Sequence, residues 1–301
     1  MSNAANLRSL LASRKMIVAP GAIDCITGRA IAQAGFSAVY MTGAGTSATL
    51  GYPDYGLITM TEMVGNAARI VNSIDIPLIS DSDTGFGNEL NVFRTVQEYE
   101  RNGLSGLHLE DQVIPKRCGH LDGKQVISVD QMREKIAAAV QARLNPDFLL
   151  IARVDSKAVY GFDEAVRRAH AYLDAGADMI FPEALTTPEE FAEFARQVKA
   201  PLLANMTEFG KTPYLSVQEF ERFGYNLVIF PMSAFRIMMK AVEEALKVLH
   251  QEGSQVSILE RMTSREDLYR LIHYQDYEQL DSTLATQFSS GLKVGESAER
   301  K

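Results

Sequence analysis

Four times along this chain a helix-like stretch stops at a glycine and a short apolar run follows almost at once. The four are Gly35 to Met41, Gly103 to Leu109, Gly176 to Phe181 and Gly224 to Phe230. A glycine just past a helix supplies the left-handed turn that ends it, and an unbroken apolar run then suits a parallel strand buried on both faces. Four more strand-like runs are introduced differently, at Ile17 to Ala19, Leu78 to Ser80, Phe148 to Ala152 and Leu202 to Ala204. Pro77, Pro146 and Pro201 stand just before three of them, where proline stops the preceding helix. Eight strands are thus expected near residues 17, 39, 79, 107, 149, 179, 203 and 228, separated by amphipathic stretches such as Val92 to Arg101 and Ala165 to Leu173. Eight alternating β and α units predict an α/β fold, a closed (β/α)8 TIM-type barrel rather than an open sheet.

At 301 residues the chain has more than such a barrel needs, and no Gly-, Ser- or Pro-rich linker divides it. Residues 1–301 therefore read as one barrel domain with a C-terminal helical extension over about 252–301, most evident from Ile258 to His273. That surplus is expected to cap the barrel or to pack on a neighbouring subunit. A net charge of −8, from 30 basic and 38 acidic residues, argues against a nucleic-acid partner, which calls for a basic stripe. The longest apolar runs are strand-sized, so no membrane span is expected, and no charged segment leading into an apolar one marks a secretory signal. Two cysteines, Cys25 and Cys118, make no disulfide framework and suit a reducing, cytoplasmic setting.

In barrels of this kind chemistry gathers at the C-terminal ends of the strands. The residues that follow each apolar run are, in order, Thr42-Gly43-Ala44-Gly45, Asp81 and Asp83, Glu110-Asp111, Arg153 and Asp155, Glu183, Asn205 and Thr207, then Ser233 and Arg236. Carboxylates in such numbers suit a hard divalent cation such as Mg²⁺, and arginines at a barrel mouth can fork onto a carboxylate. The set asks for an anionic substrate held through a metal. Blander readings exist for each part. Asp81 and Asp83 could cap a helix, Arg153 could pair structurally with Glu183 or Asp155, and Gly43-Ala44-Gly45 could be a plain tight turn rather than a carboxylate grip. His108 reads as core, Cys25 as a small core residue, and Asp122-Gly123-Lys124 as a turn in a mobile loop with no assigned function. Asp54, after Tyr52-Pro53, could reach the metal region.

Lys116-Arg117-Cys118-Gly119-His120 concentrates the most chemistry. Two fixed cations and an imidazole are expected to bring the thiol below the usual pKa of about 8.5, and Gly119 leaves room for a substrate to approach the sulfur.

Several long motifs in order resemble the isocitrate lyase and phosphoenolpyruvate mutase superfamily, and within it the branch that cleaves methylisocitrate. They are Asp81 to Gly87, Glu110-Asp111-Gln112 leading to Lys116 to His120, Phe181 to Ala184, Asn205 to Gly210, Ser233 to Arg236 and Arg265 to Tyr269. The resemblance covers nearly the whole chain. It implies Mg²⁺ at Asp81 and Asp83, with Glu110 and Asp54 supporting its water shell. It implies that Thr42, Gly43 and Ala44 hold the ketoacid part of the substrate. That loop usually reads Ser-Gly-Gly, so Thr42 and Ala44 depart from it, and contacts through backbone N–H groups should survive both changes. Cys118, Gly119 and His120 match the mobile catalytic loop, and Arg153, Glu183, Asn205, Met206, Thr207, Arg236 and Arg265 match positions around the substrate.

The implied reaction is a Mg²⁺-dependent retro-aldol cleavage of a small tricarboxylate, 2-methylisocitrate, to pyruvate and succinate, in propionate breakdown. Cys118 is then the proton donor, His120 its catalytic neighbour, and Tyr40 the candidate to take the hydroxyl proton. A last helix swapped between subunits and a homotetramer built as a pair of dimers are also implied. Oxaloacetate hydrolysis or decarboxylation and 2,3-dimethylmalate cleavage remain alternatives on the same scaffold. A phosphonate mutase does not use a cysteine in this loop, and a non-catalytic barrel would not need carboxylates, thiol and arginines together.

Overall fold

The computed structural model describes residues 2–121 and 123–296, without the side chains of 289–296. Met1, Asp122 and residues 297–301 lie outside the described residues, and with them the first residue of the expected turn and both ends of the expected 1–301 domain. The chain groups into two compact units, Met1–Ala241 and Val242–Lys301.

In the first unit α1 (Asn3–Ala12) precedes β1 (Ile17–Ala22) and α2 (Cys25–Gln33). β2 (Val39–Met41) leads into α3 (Gly43–Thr49) and α4 (Met60–Val71), and β3 (Leu78–Asp81) into α5 (Glu89–Arg101). Next come β4 (Gly106–Glu110) with α6 (Val129–Ala142), and β5 (Leu149–Val154) with α7 (Lys157–Tyr160) and α8 (Phe162–Asp174). β6 (Met179–Pro182) is followed by α9 (Pro188–Gln197), β7 (Leu203–Asn205) by α10 (Val217–Phe223), and β8 (Leu227–Phe230) by α11 (Ser233–Glu252), whose residues from Val242 on belong to the second unit. All eight strands lie where the apolar runs predicted them. The four glycines that announce strands, Gly35, Gly103, Gly176 and Gly224, have φ of 87°, 86°, 107° and 97°, the left-handed turn expected of them.

The strands pair in parallel in the order β6-β5-β4-β3-β2-β1-β8-β7. A parallel bridge from Ile180 to Leu202 joins the two remaining edges, so the sheet forms a nearly closed barrel. Alternation along each strand divides the apolar residues in two. Ile17, Ala19, Tyr40, Ile79, Ile151, Phe181, Leu203 and Ile229 pack in the lumen, whereas Val39, Met41, Leu78, Leu107, Ala152 and Val228 pack under the helices. Leu7 of α1 joins the lumen cluster and is fully buried, with Leu10 and Leu11 against it. Arg8 fastens the same helix by donating to the carbonyls of Asp147 (3.0 Å) and Phe148 (3.2 Å) at the start of β5. The helix therefore plugs the N-terminal end of the barrel and leaves the opposite end for chemistry.

The second unit holds a 3₁₀ turn, Val256–Arg261, then α12 (Arg265–Leu271) and α13 (Tyr274–Glu296). The helical sequence from Ile258 to His273 forms two separate pieces. Met262 is extended, and Ser264 starts α12 afresh by accepting from Asp267 N at 3.0 Å. Leu246, Leu259, Leu280 and Phe288 remain at least half exposed. Among the described residues no helix is long and apolar enough to cross a membrane.

Candidate active site

The carboxylate wall grows from the ends of β3 and β4. Asp81 and Asp83 do not cap a helix: α5 is capped by Asn88. Asp83 has φ 46°, a left-handed conformation that aspartate tolerates better than most residues and that clusters at functional sites. The surroundings over-determine it. Asp83 N donates to Asp81 Oδ1 (2.9 Å), Glu110 N donates to Asp83 O (3.0 Å), and Lys135, almost buried on α6, donates to the Thr84 carbonyl at 2.9 Å.

Into this wall comes Lys116, whose ammonium donates to Asp54 and lies 2.8 Å from Asp83 Oδ1. Asp54 is thus brought to the site, as expected. A cavity of about 380 Å³ opens beside Asp83 and Lys116, with Thr84, Phe86 and Arg94 among its walls.

The donor set fits a hard cation. Both Glu110 carboxylate oxygens and Asp83 Oδ1 are buried without an aligned hydrogen-bond donor. The nearby Arg153 (3.2 Å from Glu110) and Lys116 make only ion contacts with them. Burial pushes the Glu110 carboxyl well above the usual range, against the pull of Arg153 and Lys116. Among the described residues no group of three or more His, Cys, Asp or Glu is arranged to hold a metal by itself. Mg²⁺ does not require one, since it binds through one or two carboxylates and fills its shell with water and substrate oxygens.

The opposite wall is cationic at its centre. Arg153, at the end of β5, forks onto Asp155 at 2.9 and 3.1 Å and lies 3.5 Å from Glu183. Its guanidinium also sits over Phe181, 5.2 Å from the ring centre. The structural pairing of Arg153 with Asp155 and Glu183 is thus present. Burial would raise the Glu183 carboxyl, but Arg153 and then His120 overcome it and hold the group well below its ordinary range. The Lys211 backbone N–H donates to His120 Nδ1 at 3.0 Å, which leaves the ring proton on Nε2, 3.0 Å from Glu183 Oε1. Asn205 completes the cluster by donating to Glu183 Oε2 at 3.2 Å.

The thiol loop lies directly on this pair. A Cβ built on Gly119 would come within 2.5 Å of both Arg153 Nη2 and Glu183 Cγ, so only glycine fits. The expectation that neighbouring cations acidify Cys118 fails. Lys116 is drawn to Asp54 and Asp83, and Arg117 stacks over Tyr55. Burial pushes the Cys118 thiol up; the hydrogen bond with the His120 backbone opposes it, Asp54 and Glu183 add to the rise, and Arg153 pulls the other way least of these. Cys118 is accordingly a thiol, not a thiolate, at neutral pH.

Tyr40 and His108 stand in the lumen below. The phenol oxygen and His108 Nε2 are 2.8 Å apart, and the rings stack. Burial, then the Arg153 charge, drops His108 to about 3, so the imidazole is neutral. Burial and Asp81 raise the Tyr40 hydroxyl well above its usual value, so the expected base holds its own proton in the free site. His108 was read as core from its apolar strand. It shares the inward face with Glu110, two positions on, and that alternation was the available signal.

Not every expected residue turns inward. Thr42 caps α3 by accepting from Gly45 N at 3.2 Å, so the Gly43-Ala44-Gly45 segment is a helix start rather than a free turn. Gly43 packs on Asp81, whose Oδ2 would be 2.4 Å from an added Cβ, which ties that segment to the carboxylate wall. Thr207 is buried at the rim, whereas the Met206 side chain falls on the outer face of β7 in the sheet–helix core; the period of two turns it away from Asn205. Arg236 is about two-fifths exposed, 3.5 Å from Glu208 and stacked over Phe209. Arg265 opens α12 in the second unit, beside a cavity of about 720 Å³ lined also by Tyr269 and Tyr274. The buried Lys124 and its partner Asp155 had no useful sequence signal beyond a polar turn and a strand end.

Comparison with known proteins identifies the family. Residues 7–250 match the family model described as phosphoenolpyruvate phosphomutase. A 2-methylisocitrate lyase from Aeropyrum pernix is 49% identical over 279 residues, covering 93% of this chain and 90% of the relative. A 2,3-dimethylmalate lyase from Eubacterium barkeri is 44% identical, covering 95% and 99%. An oxaloacetate acetylhydrolase solved with 3,3-difluorooxalacetate superposes with a TM-score of 0.90 at 38% identity, covering 94% of this chain and 97% of that one. A phosphonopyruvate hydrolase solved with oxalate and Mg²⁺ does so with a TM-score of 0.85 at 31% identity, covering 95% and 99%.

Proposed function

The chain belongs to the phosphoenolpyruvate mutase family, and from that membership we propose that it is a carbon–carbon lyase cleaving 2-methylisocitrate to pyruvate and succinate. One observation carries the reading furthest: a thiol kept protonated by burial, on a loop whose glycine touches the Arg153–Glu183 pair. A lyase that leaves a carbanion needs a proton donor of that kind next to its anion-binding group.

Asp81 and Asp83 would hold Mg²⁺, with Glu110 and Asp54 fixing its water. When bound, the ion would stabilise negative charge on the substrate hydroxyl oxygen and neighbouring carboxylate. The start of α3 presents backbone N–H groups to the ketoacid carboxylate, and Arg153 faces the carboxylate of the departing half. Loss of the hydroxyl proton lets the C2–C3 bond break, with its electron pair going to the succinate half. The Cys118 thiol gives that carbon its proton, and the resulting thiolate is reprotonated before the next cycle. Tyr40 would take the hydroxyl proton only while passing its own phenol proton to neutral His108, whose Nε2 lies 2.8 Å from the phenol oxygen. His120 and Asn205 hold Glu183, which keeps Arg153 aimed.

Cleavage of 2,3-dimethylmalate is the second reading, supported by the 44% identical relative. The two substrates differ by one carboxylate, and the part-exposed Arg236 offers a cation for the extra one. The uncovered apolar residues of the second unit support a homo-oligomer, read as a tetramer of paired dimers with exchanged helices. A reducing cytoplasm suits the free thiol. Incubation with Mg²⁺ and, separately, 2-methylisocitrate, isocitrate, 2,3-dimethylmalate or oxaloacetate, following ketoacid formation or loss, decides the substrate. Methylisocitrate should turn over fastest; turnover of oxaloacetate without methylisocitrate would overturn the proposal.

A further inference from the structure

Lys124 follows the thiol motif in a segment whose sequence suggests only a turn. Its side chain is 1% exposed, more deeply buried than any charge in a surface turn should be. Gly123, with φ 77°, makes the bend that precedes it, a conformation a side chain would strain. The ammonium donates to the Gly119 carbonyl at 2.6 Å and to Asp155 Oδ1 at 2.9 Å. Asp155, itself fully buried, is the carboxylate on which Arg153 forks, and its backbone N–H is fixed by Asp111 at 2.8 Å.

The base of the loop is secured separately, by a bridge between Gln112 and Val126. Before Cys118 the Gln112 side chain holds the Arg117 backbone, accepting from its N–H at 3.0 Å and donating to its carbonyl at 2.9 Å; after it come one short turn bond, from Leu121 N to the Cys118 carbonyl, and the Lys124 tie to the Gly119 carbonyl. A buried ammonium without a carboxylate partner is strongly unfavourable, so Lys124 can sit at this depth only while it engages Asp155.

We propose that Lys124 is a positioning residue whose ammonium ties the backbone beside Cys118 to Asp155, so that one buried carboxylate sets both the proton donor and the arginine facing it. Arg153 grips Asp155 through two nitrogens and Lys124 takes the remaining approach to Oδ1. Removing Lys124 leaves the arginine fork in place but frees the Gly119 carbonyl. The thiol should then lose its fixed height over the Arg153–Glu183 pair while the anion-binding groups stay put. This deepens the lyase reading, since it assigns a support to the proposed proton donor.

Iodoacetamide labelling of Cys118 in the free protein tests the tie without any substrate. In a Cys25→Ser background, Lys124→Gln and Lys124→Met should label about tenfold faster or more than the parent, because local opening exposes the thiol. Loss of a nearby cation would by itself reduce thiolate and slow labelling, so acceleration reports exposure rather than charge. With the preferred substrate, kcat should fall about tenfold or more while inhibition by oxalate stays within about twofold. Unchanged labelling in both folded variants overturns the proposal, whichever substrate the enzyme prefers. If neither variant folds, acetic anhydride footprinting of the parent decides: Lys124 should react far more slowly than exposed Lys15, and equal rates overturn it.

Discussion

The two walls of the site are built by different means. The carboxylate wall is an extension of the barrel: Asp81 ends β3, Glu110 ends β4, and backbone bonds force Asp83 into its left-handed turn. The thiol wall is hung on a long excursion between β4 and α6, held at its base by a bridge and along its length by side chains, among them Lys116, His120 and the buried Lys124. Binding a cation rewards ligands that do not move, because reorganisation during the reaction weakens electrostatic stabilisation. Delivering a proton requires that the donor arrive after the substrate and then exclude water. One wall is rigid by construction and the other by attachment.

The sharpest break of the first wall is Asp83→Ala. It should remove Mg²⁺-dependent turnover by about 1,000-fold or more, since a metal of this kind supplies several kcal/mol to the transition state. Calorimetric titration should show the matching loss of Mg²⁺ binding, and intact binding would dismiss Asp83 as a ligand. The corresponding break of the second wall is Cys118→Ser. It should lower kcat by about 100- to 10,000-fold, the usual contribution of a general acid, while Mg²⁺ and pyruvate binding by calorimetry change little. Loss of both would mean that the walls are not separable.

A milder perturbation uses pH. The Cys118 pKa is raised, so the donor keeps its proton through neutrality and kcat should hold as pH rises past the usual thiol value of about 8.5, then fall as the thiol ionises. A profile already falling between pH 7 and 8 would show an acidified thiol and refute the burial argument. The smallest effect on catalysis belongs to neither wall. Leu7→Ala, in the plug beneath the lumen, should lower stability by about 2–5 kcal/mol in denaturant titration yet leave kcat near the parent value.

The barrel was legible because its signals are local and repeated. Gly35, Gly103, Gly176 and Gly224 each had to adopt positive φ, and each introduces a strand that must be apolar on both faces. The rim residues followed from counting to the end of each run. What the sequence withheld was direction. Lys116 and Arg117 are adjacent to Cys118 in the chain, and adjacency suggested that they acidify it; in three dimensions Lys116 is claimed by Asp54 and Asp83. Met206 lies beside Asn205, yet the strand period sends it to the other core. Lys124 and Asp155 are 31 positions apart, and no periodicity links them. The interrupted helix around Met262 was hidden because apolar spacing continues across it, while only Ser264 marks the restart.

The half-buried, protonated state of Cys118 has a consequence for durability. Peroxide and other two-electron oxidants attack thiolates, and a cysteine that ionises easily is the first to become a sulfenic acid. By keeping its proton donor neutral, this site also keeps it dull toward oxidants. The same partial burial that keeps the sulfur protonated until a carbanion calls for the proton would slow its oxidation between cycles.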